Sequence, residues 1–123
     1  MSAMGEYIKL TTAPVRVTYI AQTYQPEYLA LDVSAYDSLE LLCVLSETQS
    51  SPVVIQIWGA MAPEGDATWT KLGQFPNFTG SNQSWQLQLG APSTALLRWI
   101  RWGIQVGSSN TITFFICGRG TKR

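Results

Sequence analysis

Apolar and polar residues alternate with period two along most of this chain, and that pattern predicts strands. No window keeps apolar residues at i, i+3, i+4 and i+7 through successive helical turns. The apolar runs are rich in β-branched and aromatic residues, and Gly, Pro, Asn, Asp and Ser separate them. Strands are expected at Glu6–Thr11, Val15–Ile20, Tyr28–Val33, Ser38–Ser46, Pro52–Ala60, Thr68–Phe75, Ser84–Leu89, Leu97–Val106 and Thr111–Gly118. Ala62-Pro63-Glu64-Gly65-Asp66 and Gly107-Ser108-Ser109-Asn110 have the composition of hairpin turns. About eight or nine strands at this spacing predict an all-β fold. The expected architecture is a two-sheet antiparallel β-sandwich, jelly-roll-like or immunoglobulin-like.

The alternation also assigns faces, because successive side chains on a strand point to opposite sides of the sheet. Four inward sets follow: Leu39/Leu41/Cys43/Leu45, Val53/Ile55/Ile57, Ile100/Trp102/Ile104/Val106 and Ile112/Phe114/Ile116. Each large side chain buried this way contributes about 1.5–3 kcal/mol. Val54, Trp58, Leu97, Trp99 and Phe115 then fall outside, where a solvated sheet would carry Thr, Lys or Glu. Three explanations stand: strands from the N-terminal segment cover them, a subunit or partner does, or they form a ligand platform.

Residues 1–35 are a softer segment, broken at Thr11–Pro14 and Gln22–Pro26 and dotted with Tyr7, Tyr19, Tyr24 and Tyr28. They are expected to form edge strands or an arm that contacts a subunit, with Tyr7 and Tyr19 joining the interface. Residues 36–118 are expected to form the sandwich core, and 119–123 a basic, solvated tail.

Composition strengthens the case for a covered surface. Apolar residues make up 46% of the 123, whereas charged residues make up only 13%, against roughly 25% in an ordinary soluble domain. With five Trp, five Tyr and four Phe, apolar surface remains after the core is filled. The net charge is zero and no Lys/Arg cluster is large enough for a phosphate backbone, so no nucleic acid is expected. No apolar run is long enough to span a bilayer, so no membrane is expected. Met1–Lys9 lacks a basic start followed by an apolar stretch, which predicts synthesis in a cytoplasm without standard export. The triplets Asn77-Phe78-Thr79 and Asn82-Gln83-Ser84 are then incidental. Cys43 and Cys117 lie in apolar strands, either as free thiols or joined to each other.

The chemistry of catalysis is missing. The chain has no histidine, which removes Ser-His-Asp and Cys-His arrangements and most zinc sites. No glycine-rich phosphate loop opens a helix. Among the carboxylates only Glu64 and Asp66 sit close together, in an expected turn that favours such residues with or without calcium. No enzyme activity, metal or cofactor is expected.

One stretch resembles a known family. Val53-Val54-Ile55-Gln56-Ile57-Trp58, then Pro63-Glu64-Gly65-Asp66 and Thr68-Trp69-Thr70-Lys71-Leu72, is similar to an "IQ" strand, an acidic glycine turn and a "TW…L" strand. Leu97–Trp102, Val106-Gly107-Ser108-Ser109 and Thr111-Ile112-Thr113-Phe114 resemble the closing half of that pattern. It belongs to small β-sandwich structural proteins of tailed bacteriophages and prophages, and the similarity covers Ser38 to Gly118. The chain departs from it at Trp58, Trp99 and Trp102, where smaller or polar residues are usual. The resemblance implies a virion protein made in the bacterial host, of capsid decoration or minor capsid type. Its partners would be itself and other capsid or tail proteins, in an oligomer or lattice. A tail structural protein is the alternative. So is a carbohydrate-binding module using Trp58 and Trp99 with Gln56 and Gln105.

Overall fold

A computed structural model describes residues 6–45, 53–62, 69–76, 83–90 and 97–122, with backbone alone at 18–21, 83–85 and 106–110. The elements in chain order are β1 (Glu6–Lys9), β2 (Val15–Tyr24), a one-turn 3₁₀ helix (Glu27–Leu29), β3 (Leu31–Asp32), β4 (Tyr36–Leu45), β5 (Val53–Ala60), β6 (Thr70–Gln74), β7 (Gln83–Gly90) and β8 (Trp99–Lys122). The fold is all-β: two antiparallel sheets of five strands packed face to face as a sandwich.

The sheets share two strands, which is why eight strands fill ten places. The first half of β8 pairs with β5, and β5 with β6. On its other side lie the second half of β2 and then β3. These strands make sheet I. The second half of β8 pairs with β4, and β4 with β7, while β1 and the first half of β2 line the opposite side. These make sheet II. The N-terminal segment, described from Glu6 onward, therefore runs antiparallel along β8 as the edge of both sheets in turn.

Two excursions interrupt that edge. At the first, the amides of Leu10 and Thr11 both donate to the Ile116 carbonyl (3.0 and 3.2 Å). Two residues thus oppose one, as in a β-bulge. The Thr11 hydroxyl accepts from the Ile116 amide (3.0 Å), and the chain loops out through Pro14. At the second, Pro26 precedes the 3₁₀ turn, and only Leu31–Asp32 regain the sheet. Of the strand expected at Tyr28–Val33, Leu31–Asp32 are strand and Tyr28–Leu29 belong to the 3₁₀ turn. Pro26 lacks an amide for the ladder, and Tyr28 and Leu29 are exposed instead of alternating in and out.

The hairpin turn expected at Gly107–Asn110 is also corrected. The chain does not reverse there, and β8 continues through it. Register against β2 passes from Thr18–Thr111 to Ile20–Val106, so five residues of β8 advance beside two of β2. The glycine-serine segment absorbs the surplus where β8 leaves one sheet for the other. The turn expected at Ala62–Asp66 lies, from Pro63 on, outside the described residues. The strands on either side of it, β5 and β6, pair antiparallel.

The core forms between the sheets. Leu39, Leu41, Cys43, Leu45, Val53, Ile55, Ile57, Ile100, Trp102, Ile104, Ile112, Phe114 and Ile116 are all buried, as their parity requires. The Val106 side chain lies outside the described residues. Ile8, Leu10, Val33, Phe75 and Leu89 complete the cluster, so the N-terminal edge contributes to it directly. The Trp102 and Phe114 rings, from the two halves of β8, meet edge to face with centroids 5.2 Å apart. The strand thus packs against itself across the sandwich. Residues 119–122, set apart in the sequence as a tail, continue β8: Arg119 pairs with Glu40 (3.1 Å) and Lys122 with Glu6 (2.6 Å).

Candidate functional site

The residues expected at an interface divide between opposite sides of the molecule. Val54 and Trp58 (β5) and Trp99 (β8) are half-buried on the outer face of sheet I, and half-buried Leu97 lies just before β8. Phe115 and Tyr7 stand on the outer face of sheet II. The Tyr19 side chain lies outside the described residues. No single surface joins Trp58, Trp99 and Phe115, because β8 has changed sheets between Trp99 and Phe115.

Sheet I covers much of its outer face with its own side chains. Arg101 projects outward from β8 yet is only 4% exposed. Its guanidinium lies between the rings of Tyr24 (4.5 Å) and Trp69 (4.4 Å). One Nη donates to the Gln25 carbonyl (3.4 Å). Trp58 meets Tyr24 edge to face at 5.4 Å and donates from Nε1 to Gln56 Oε1 (3.2 Å). Gln22 donates to the same oxygen (3.4 Å). Gln56 is buried, and its amide oxygen is occupied by these two donors. At one end Arg98 stacks beside Trp99 (5.6 Å) and pairs with Asp32 (3.5 Å). Hydrogen bonding from Ser34, then the Arg98 charge, holds the Asp32 carboxyl below its ordinary range.

Sheet II is more open. Tyr7 is 65% exposed and Phe115 36%. Register places Val44 beside Phe115, and Leu42 and Lys9 on either side of Cys117. Tyr7, Leu42, Val44, Phe115 and Cys117 therefore form one apolar strip across three adjacent strands. The Glu40–Arg119 ion pair crosses one end of it. Two shallow depressions flank Tyr7, of about 300 Å³ toward Gln86 and about 240 Å³ toward Pro14. Partial desolvation and the neighbouring Cys117 thiol push the Tyr7 phenol above its ordinary value. The sequence pattern missed Leu42 and Val44, although their even positions in β4 already set them opposite Leu41 and Cys43.

The cysteines are free thiols on opposite faces of sheet II, Cys43 buried in the core and Cys117 half-buried outside. Glu64 and Asp66 lie outside the described residues. Among the described residues no helix is long and apolar enough to cross a membrane. The fold and its two faces define an all-β sandwich carrying one packed and one open apolar surface. The sequence matches no protein-family model and no curated protein.

Proposed function

We propose that this chain is a non-enzymatic virion structural protein, of capsid decoration or minor capsid type, that binds neighbouring subunits through the outer face of sheet II. One observation carries the assembly part. Tyr7 and Phe115 are exposed beside Leu42, Val44 and Cys117 on a face made rigid by five paired strands. Exposed apolar strips rimmed by charge favour contact with another protein. Support for the virion setting comes from the sequence resemblance over Ser38–Gly118.

The test uses undecorated capsids of the phage or prophage whose genome carries the gene. Wild-type protein is expected to co-sediment with them. The double variant Tyr7→Ser/Phe115→Ser is expected to lose most of that binding, and Trp58→Ser to retain it. Failure of the wild type to bind capsids, with binding to isolated tails instead, would assign it to the tail. Binding to neither would end the proposal.

A further inference from the structure

A second apolar concavity lies at the N-terminal edge, between the two excursions of the chain. Its walls are Leu10–Pro14 on one side and Pro26 and Leu29 on the other, and its floor is Leu31 and Trp102. Its volume is about 480 Å³, against about 300 and 240 Å³ for the two depressions on sheet II. The walls are bridged by one buried side chain. The Gln25 amide donates to the carbonyls of Leu10 (2.8 Å) and Leu29 (3.2 Å), and its oxygen accepts from the Trp102 amide (3.3 Å). The groove is therefore preformed.

Beside it stands a knob of matching character. Tyr28, on the 3₁₀ turn, is 84% exposed, more than any other large hydrophobic residue described, and Leu29 is 50% exposed. Pro26 ahead of the turn sits at φ −54°, which stiffens the knob's base. Tyr28 does not enter its own groove, which is lined instead by its neighbours Pro26 and Leu29. A knob and a hole on one small surface are self-complementary under a two-fold axis, where each copy offers what the other receives. Charge does not oppose this: Lys9 lines the edge of the groove with its ammonium 5.9 Å from the Tyr7 ring, and Glu27 precedes the knob.

We infer that the groove receives Tyr28 of a second copy of this chain, in a two-fold dimer that buries both tyrosines. Two aromatic side chains bury roughly 150–250 Å² each. Leu29 and the exposed ridge Thr12–Pro14 extend the contact toward the roughly 1,000 Å² that a specific interface needs. The Thr12–Pro14 ridge stands between the groove and the sheet II depression and lines both, whereas Tyr7 and Phe115 line only the latter.

Sedimentation of the full chain across a concentration series tests this. The wild type is expected to dimerise, and Tyr28→Ser, at an exposed site that leaves the fold intact, to raise the dimer dissociation constant about ten-fold or more. A photo-crosslinking phenylalanine analogue at position 28 is expected to join to the partner's residues 10–15. Tyr7→Ser/Phe115→Ser is expected to dimerise normally, which separates failure here from failure of capsid binding. A monomeric wild type, unchanged association of Tyr28→Ser, cross-links to another segment, or a co-purifying small apolar molecule in a monomer would each overturn the dimer.

Discussion

The indole of Trp58 lies across Gly103 on the neighbouring strand, so close that a methyl group at position 103 would fall 2.7 Å from its Nε1. The Tyr24 ring approaches the same point to 3.0 Å. Glycine is thus what lets two rings meet over β8. Gly103→Ala must tilt the indole and disturb its bond to Gln56 and its contact with Tyr24. The expected cost is about 1–3 kcal/mol, as for other overpacked sites. The denaturant midpoint measures it, and an unchanged midpoint would mean that the rings repack freely.

Arg101 presents a related case. Its planar guanidinium fills the gap between Tyr24 and Trp69, which a lysine ammonium cannot do. Arg101→Lys is expected to lose about 1–2 kcal/mol and to weaken the near-ultraviolet circular dichroism of the stacked rings. A near-ultraviolet spectrum identical to wild type would show that the stack does not depend on guanidinium shape.

Gln25 ties both N-terminal excursions to β8. Gln25→Ala leaves the buried side-chain bonds to Leu10, Leu29 and Trp102 unmade, at an expected cost of about 1–3 kcal/mol. Hydrogen exchange should report the loss first at residues 10–14 and 26–30. Uniform acceleration across both sheets would instead mean that the excursions unfold only with the whole domain.

The Glu6–Lys122–Tyr36 cluster predicts a pH dependence. Hydrogen bonding from Lys122, then from the Tyr36 hydroxyl, holds the Glu6 carboxyl below its ordinary range. Its contribution is full above the unfolded carboxylate pKa and is lost as pH falls through the lower folded value. Glu6 in turn raises the Lys122 ammonium, whose contribution is lost as pH rises through that higher folded value. The Tm difference between wild type and Glu6→Gln should therefore peak near neutrality and shrink below about pH 4 and above about pH 10. These groups are exposed, so added salt should flatten the profile. A difference constant from acid to base would refute it.

Thiol labelling should distinguish the cysteines. Cys43 is fully buried, and burial pushes its thiol far up, whereas Cys117 is half-buried at the sheet II surface. Native protein is expected to modify at Cys117 alone, with Cys43 reacting only on unfolding. Equal rates at both would mean that the core opens readily.

Much of this architecture was legible in the residues. The parity of β4, β5 and β8 picked out their buried positions, because pleating alone sends alternate side chains to opposite faces. Turn chemistry was less reliable. Gly107–Asn110 has hairpin composition but serves a strand that changes sheets, and no local signal separates those uses. The excursion at Tyr28–Leu29 was masked by an apolar run that reads as a strand.

The amino-acid sequence by itself determined which side of each strand faces the core and that apolar residues would be left outside. Those outcomes need only the alternation of side chains and the surplus of apolar over charged residues. Tertiary structure decided which outer face each residue joined. Trp99 and Phe115 share an outward parity on one strand, yet β8 crosses the sandwich between them and places them on opposite sides. Tyr24 and Trp69 enclose Arg101 from distant segments, and only long-range pairing brings them there. Parity is a local property of the backbone, whereas sheet membership depends on partners far away in the chain.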